Sequence, residues 1–367
     1  MKIGILSSSR ADYGIYLPLI EELSSDQFFD LELICFGTHL SKFHGYTFDN
    51  IDQRKFQKIH LIENIIVNDS PNSIATSFGL TALKFGDFWQ NNPFDLVFCL
   101  GDRFEMAAAV ISALPYGVTF AHLHGGETTL GAIDNVYRHT ITLASKIHFV
   151  STEKNKERLK ELTQSDKNIV NVGSLSLDNI KNIKLLSKEE FKEKWNIDLN
   201  QKTILITVHP ETVDFSENER YAEEIYRALI HLADFRQLVI TLPNADTFGT
   251  VFRQKFTELQ KHFPEKVILI ENFGTQSYFT CLKYAEVLLG NSSSGIIEAA
   301  SFGKYVIDIG NRQKGRECSE NVIHAPFDTK AIIEKTKAYM DKTYVGKNLY
   351  DNGGAVNKII QTLKNRN

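Results

Sequence analysis

FDLVFCLGDRFEMAAAVISALPYGVTFAHLHGGETTLGAIDNVYRH (residues 94–139) reads as strand, helix, strand. FDLVFCL (94–100) is a short continuous apolar run, the pattern of a buried strand. FEMAAAVISAL follows with helix-forming residues, Pro115 stops it, and VTFAHLH (118–124) is a second short apolar run. A strand, a crossover helix and a second strand make the repeating unit of a parallel sheet.

The polar residues of this stretch gather where its strands end. Asp102 and Arg103 follow the first strand; His124, Gly125, Gly126 and Glu127 follow the second. In open α/β sheets the carboxyl edge is where ligands bind. Asp134, Arg138 and His139 then recur at helical spacing, and residues i and i+4 share a helix face. Singly, each of these fits a helix cap, a local ion pair or a turn. Together, on two adjacent strand ends, acids, bases and cations favour a site.

The rhythm extends outward in both directions. IGILSS, ADYGIYLPLIEELSS and LELICFG give another strand, helix and strand at the N-terminus. Their first turn carries Ser7-Ser8-Ser9-Arg10, which offers backbone N–H groups, a helix N-terminus and a counter-charge to a phosphate. It lacks G-x-G-x-x-G, which disfavours a nicotinamide cofactor. Residues 38–72 are polar, aromatic and poorly periodic, and suit a lid or wall. Ile74, Phe78, Phe85 and Trp89 form a helical core stripe, and KIHFVST (146–152) and NIVNVGS (168–174) read as the last strands of a first domain.

The 367 residues exceed what one hydrophobic core usually supports, so two domains are expected. The lysine-rich stretch 178–201 reads as a linker with a short amphipathic helix. After it comes a second series of strands: TILITVHPET (203–212), QLVITLPNAD (237–246), KVILIENFG (266–274), AEVLLGNSSSG (285–295) and KYVIDIG (304–310). The expected architecture is α/β, with two doubly wound Rossmann-like domains facing a cleft. Residues 1–177 carry the catalytic chamber, 200–345 bind a nucleotide diphosphate, and a helix within 346–367 packs back on the first domain.

Composition narrows the function. A net charge of -4 disfavours nucleic acid and anionic membrane surfaces as partners. The four cysteines (Cys35, Cys99, Cys281, Cys318) are far apart, without metal-ligand spacing, so no metal site and a reduced cytoplasmic setting are expected. MKIGILSSSR is neither a signal peptide nor a membrane span. No internal repeat or low-complexity segment is present.

The second series supplies the other half of a site. His209 follows ILITV, and Pro210 ends that strand. Asn291-Ser292-Ser293-Ser294-Gly295 precedes a helical run, where small hydroxyls and backbone N–H groups make a phosphate cradle. Glu298, one turn on, suits ribose hydroxyls. Asn244 with Tyr278 or Phe279 suits a base pocket, and Arg312, Lys314 and Arg316 add cations for a diphosphate. A nucleotide sugar satisfies both halves.

Eight motifs in this order resemble the hydrolysing UDP-N-acetylglucosamine 2-epimerases of the sialic-acid and legionaminic-acid type. They are SRADYG (9–14), GDRFE (101–105), HLHGGE (122–127), AID (132–134) with Arg138-His139, VHPET (208–212), PNAD (243–246), GNSSSG (290–295) and RQKGRE (312–317). The resemblance implies a fold like that of two-domain nucleotide-sugar glycosyltransferases, a homodimer or homotetramer, and no cofactor. It implies anti elimination of UDP to a 2-acetamidoglucal, then syn addition of water to give N-acetylmannosamine. By resemblance, Asp102 and Asp134 match catalytic acids and His209 the histidine at the diphosphate. Arg10, Asn244, Ser292, Ser293, Glu298 and Arg316 match nucleotide-binding positions, to which Arg103 and Tyr278 are added. Some relatives carry Glu at the third place of an H-x-E motif, where this chain has His124. Glu127 is kept, so the acid–base role falls to Glu127 or to His124.

Four alternatives share this machinery or fold. The same elimination suits UDP-N,N'-diacetylbacillosamine or GDP-N-acetylglucosamine, since it is blind to C4 and C6. A non-hydrolysing epimerase would return the UDP sugar. A glycosyltransferase or a non-catalytic nucleotide-sugar sensor would not need the acids of the first domain.

Overall fold

The computed structural model describes residues 1–68, 70–130, 133–211, 215–243 and 249–366. It divides into two compact units: Met1–Glu127, Asp134–Lys181 and the chain from Tyr350 in one, Thr128–Ile133 and Asn182–Leu349 in the other.

The first unit contains, among the described residues, β1 (Lys2–Ser7), β2 (Asp30–Phe36), β3 (Lys58–Ile62), β4 (Leu96–Leu100), β5 (Phe120–Leu123), β6 (Ile147–Val150) and β7 (Ile169–Asn171). They form one parallel sheet in the order β3-β2-β1-β4-β5-β6-β7. Alternate side chains of a strand face opposite sides, and both faces here are apolar. Ile3, Ile5, Leu31, Leu33, Leu96 and Phe98 pack on one side, against helix Arg10–Ser25 and the C-terminal helix Ala355–Lys364. Leu6, Ile34, Phe36, Val97 and Cys99 pack on the other, against helices Pro71–Asn91 and Phe104–Ile111. The C-terminal helix contributes Val356, Ile359 and Leu363 to this core, and Val356 N–H donates to Asp178 Oδ2 at 2.8 Å.

The second unit contains, among the described residues, β8 (Thr203–Thr207), β9 (Gln237–Thr241), β10 (Val267–Ile270), β11 (Val287–Gly290), β12 (Tyr305–Ile309) and β13 (Val322–Ala325). They are parallel in the order β10-β9-β8-β11-β12-β13. Ile204, Ile206, Leu289 and Ile307 meet Ile225, Leu229 and Phe252 from helices Asn218–Ala233 and Gly249–His262. Both units are doubly wound α/β, as the alternation predicts.

Two stretches differ from the sequence reading. Residues 38–72 contain β3, an edge strand whose Lys58 and Leu61 are exposed, beside four one-turn 3-10 segments between Gly37 and Lys55. An edge strand that is only partly covered lacks the apolar run that marks a central one. Residues 178–201 hold the expected short amphipathic helix, Lys188–Trp195, but it is packed rather than free. Helix Leu175–Asn182 buries Leu175 and Leu177, and helix Lys188–Trp195 buries Phe191, whose ring lies 5.5 Å from that of Phe273. Charged outer faces hid these short apolar contacts.

Candidate active site

Strand order reverses at β1/β4 in the first sheet and at β8/β11 in the second. Such switch points open a crevice beyond the carboxyl ends of the strands. The candidate residues fall on these crevices: Arg10 after β1, Asp102 and Arg103 after β4, His124 and Glu127 after β5, His209 after β8, Ser292 and Ser293 after β11.

In the first unit Arg138 organises the cluster. It lies on helix Asp134–Ala144, one turn beyond half-buried Asp134, and is itself buried. Its Nη2 donates to Asp102 Oδ2 and its Nη1 donates to His124 O at 2.9 Å, with Glu127 Oε2 at 3.8 Å. One guanidinium thus joins the ends of β4 and β5, a task its rigid fork of donors suits. His124 Nδ1 lies 2.8 Å from Glu127 Oε1, and Ser151 Oγ lies 3.0 Å from both atoms.

Asp102 is placed by its neighbours. Gly101 turns with φ +78°, and its carbonyl sits 2.9 Å from His122 Nε2. Burial pushes His122 down to about 3, so the neutral ring donates from Nε2 to Gly101 O and accepts from Thr142 Oγ1 at 3.1 Å on Nδ1. Arg103 caps helix Phe104–Ile111 by position only, and its Nε donates to buried Glu105 at 2.5 Å.

The serine turn after β1 is tied to the helix that follows it. Ser8 donates its N–H at 3.0 Å and its hydroxyl at 2.7 Å to Asp12 Oδ2, and Ser9 Oγ accepts Asp12 N–H at 3.3 Å. The Asp12 carboxylate thus holds the Ser8 N–H and hydroxyl, and Ser9 caps the helix. Burial, against the pull of Ser8, raises the Asp12 carboxyl above its usual range. Arg10 is exposed at this turn.

In the second unit His209 and Asn291 clasp each other: His209 N–H donates to Asn291 Oδ1 at 2.8 Å and Asn291 Nδ2 donates to His209 O at 2.9 Å. Gln313 Nε2 and Arg312 Nη1 donate to Asn291 O at 2.8 and 3.2 Å. Ser292 caps the five-residue helix Ser293–Ile297 through Ser294 N–H at 3.3 Å; Ser293 is exposed and Glu298 is buried. Arg316 is half-buried on the turn that carries Gln313. Glu211 is structural: its Oε1 accepts Asn311 N–H at 2.5 Å, and Asn218 brackets its backbone.

The aromatic expectation divides. Phe279 is buried with its ring 5.5 Å from that of Phe302, so it fills the core and presents no face to a base. Tyr278 is half-buried, and burial raises its hydroxyl, which faces Ser294 and Thr207, to about 12. Asn244 lies outside the described residues.

His122, Ser151, Asn291 and Gln313 carry site geometry that the sequence reading did not assign. His122 had a legible signal, since residues i and i+2 of a strand share a face with His124. Ser151 stands at the end of the neighbouring β6, a position visible only once the strands are ordered. Among the described residues no group of His, Cys, Asp and Glu could hold a metal ion, and no helix is long and apolar enough to cross a membrane.

Comparison with known proteins finds relatives of the whole chain. A GDP/UDP-N,N'-diacetylbacillosamine 2-epimerase (hydrolyzing) of Campylobacter jejuni is 35% identical over 370 residues, 100% of this chain and 96% of that protein. A UDP-N,N'-diacetylbacillosamine 2-epimerase (hydrolyzing) of Legionella pneumophila is 33% identical over 364 residues, 99% and 95% of the two. The crystal structure of UDP-GlcNAc 2-epimerase from Neisseria meningitidis bound to UDP-GlcNAc shares the fold, with a TM-score of 0.81 at 20% identity over 100% of both chains. Residues 21–364, which take in seven of the eight motifs whole, match the family model for UDP-N-acetylglucosamine 2-epimerase, and the chain belongs to that family.

Proposed function

We propose that this chain is a hydrolysing 2-epimerase of a UDP-linked 2-acetamido sugar. The observation that carries the reading is the cluster in which Arg138 ties Asp102 to the His124–Glu127 pair at two adjacent strand ends. A base removes the C2 proton while the C1–O bond breaks toward UDP, leaving a C1=C2 double bond. Water then adds to C1 and a proton to C2, on the face opposite the proton that left. C2 is inverted, and UDP and the free sugar are released.

That proton traffic needs acid–base groups on both faces of C2, and no carbonyl acidifies the C2 proton. Departure of the diphosphate must run ahead and build positive charge at C1, which carboxylates stabilise electrostatically. Asp102 and the His124–Glu127 pair are the two acid–base groups, and Asp134 meets the charge at C1. His209, Ser292, Ser293, Glu298, Arg316 and Asn244 take the nucleotide diphosphate, with Arg10, Arg103 and Tyr278 completing the binding set. Proton transfer and leaving-group departure call for no redox cofactor. A cytoplasmic homodimer or homotetramer is the setting that the family resemblance supports.

For the sugar, the two relatives named for N,N'-diacetylbacillosamine support that substrate ahead of N-acetylglucosamine, which the motifs placed first. Proton NMR in deuterated water with each UDP sugar tests the reading. We expect UDP and a free, C2-inverted sugar deuterated at C2. Return of an epimerised UDP sugar would move the chain to the non-hydrolysing reaction. No UDP release from either UDP sugar, and no GDP release from GDP-N-acetylglucosamine, would sink the hydrolysing reading.

A further inference from the structure

His124 stands in an unusual backbone state. It follows β5 with φ +64°, a left-handed value that few non-glycine residues adopt. Its N–H donates to Phe149 O at 3.1 Å and its carbonyl accepts from Arg138 at 2.9 Å, so neighbouring strand and helix hold it there. Strain of this kind persists where contacts over-determine it, and it clusters at functional sites.

The same contacts settle the ring. A carboxylate only accepts, so Nδ1, 2.8 Å from Glu127 Oε1, carries a proton toward it. Ser151 Oγ, 3.0 Å from the same carboxylate oxygen, donates there as well. Nε2 is left as the nitrogen that can gain or give a proton, the orientation logic of a carboxylate behind a histidine. Glu127, only 2% exposed, is engaged with His124, Ser151 and Arg138, which suits support better than contact with substrate.

We propose that His124 Nε2 is the acid–base atom of the hydration step, with Glu127 and Ser151 as positioning residues. The inference rests on the hydrolysing-epimerase reading. In the balanced step, protonated Nε2 gives its proton to C2 of the glucal. The neutral nitrogen then takes a proton from the water whose oxygen bonds to C1. Proton and hydroxyl arrive on one face, so a single residue serves both halves of a syn addition and ends in the state in which it began. Asp102 takes the C2 proton of the elimination on the other face.

The test uses full-length H124A and E127Q with whichever UDP sugar the wild type turns over, following UDP, glucal and free sugar separately. H124A should bind UDP as the wild type does, release UDP and accumulate the 2-acetamidoglucal. It should hydrate that glucal about 100-fold or more slowly, with added imidazole restoring part of the rate. E127Q should lower the hydration rate about 10-fold or more with KM within about twofold, since it loses orientation rather than binding. Wild-type hydration by H124A, or loss of elimination with UDP binding intact, would overturn the inference. Should H124A fail to fold, E127Q decides, with elimination followed as UDP release from the UDP sugar and hydration from supplied glucal: equal slowing of the two overturns it. A wild-type protein that releases no UDP would overturn the function reading, and this inference with it.

Discussion

His209 and Asn291, 82 residues apart in the chain, exchange hydrogen bonds between the ends of β8 and β11, at 2.8 and 2.9 Å. The histidine after one strand and the serine turn after its neighbour are therefore one structural piece. Its place is the switch point of the second sheet.

Asn291→Ala strips partners from the N–H and the carbonyl of His209 together. A buried polar group left unmade costs about 1–3 kcal/mol, so we expect a loss of about 2–4 kcal/mol in urea denaturation and weaker UDP binding by calorimetry. UDP affinity equal to the wild type would take this clasp out of the nucleotide site.

Arg138→Lys keeps a positive charge but removes the fork that reaches Asp102 and His124 O together. Breaking a buried ion pair costs about 3–5 kcal/mol when one partner is lost outright, and lysine should recover part of that. Turnover should fall at least about 100-fold while UDP affinity, measured by titration, changes little. Retained kcat would mean that Arg138 is only a fold residue.

Two glycines should respond to alanine to very different degrees. Gly290 has φ +142°, and a Cβ there would meet Thr207 O at 1.9 Å, where β8 and β11 run side by side. Gly290→Ala should yield little folded protein. Gly101 has φ +78° with open space around it, so Gly101→Ala should cost only about 1–2 kcal/mol of backbone strain. Thermal melts distinguish them, and a wild-type melt for Gly290→Ala would contradict the close approach.

Acid should weaken the first unit through buried histidines. Burial holds His122 down to about 3 and His39 and His148 down to about 4. Unfolded histidine titrates near about 6.5, so below that pH the unfolded chain binds protons that the folded one refuses. Stability then falls as pH drops from about 6.5 toward 4 and 3, with a slope approaching about 1.4 kcal/mol per pH unit for each histidine. His324, raised to about 10 first by its bond to Asp308, has the opposite sign: its contribution is complete below about 6.5 and fades as pH rises to 10. Urea midpoints from pH 7 to 5 should fall steeply, and His148→Gln should reduce that slope by one proton. A flat profile would contradict neutral burial.

Much of this was legible in residue order. The apolar runs of β1, β4, β5, β8, β9, β11 and β12 stand out because both faces of those central strands are covered. The edge strands β3 and β13 do not, since partial exposure relaxes the pattern. At the site, Asp102, His124, Glu127, His209 and Ser292 were visible as polar residues at strand ends. The fate of Ser8 was not: whether its hydroxyl meets a ligand or the Asp12 carboxylate depends on how the following helix closes.

The sequence by itself determined the central strands and the helices between them, and which polar residues sit where those strands end. Those follow from local periods and from the punctuation of proline and glycine. Only the tertiary structure decided that β1 lies beside β4 and β8 beside β11, because parallel pairing joins segments whole helices apart. It alone decided that Arg138 reaches Asp102, that Ser151 reaches Glu127, and that His122 holds Gly101. Each of those contacts is made by side chains that local spacing cannot bring together.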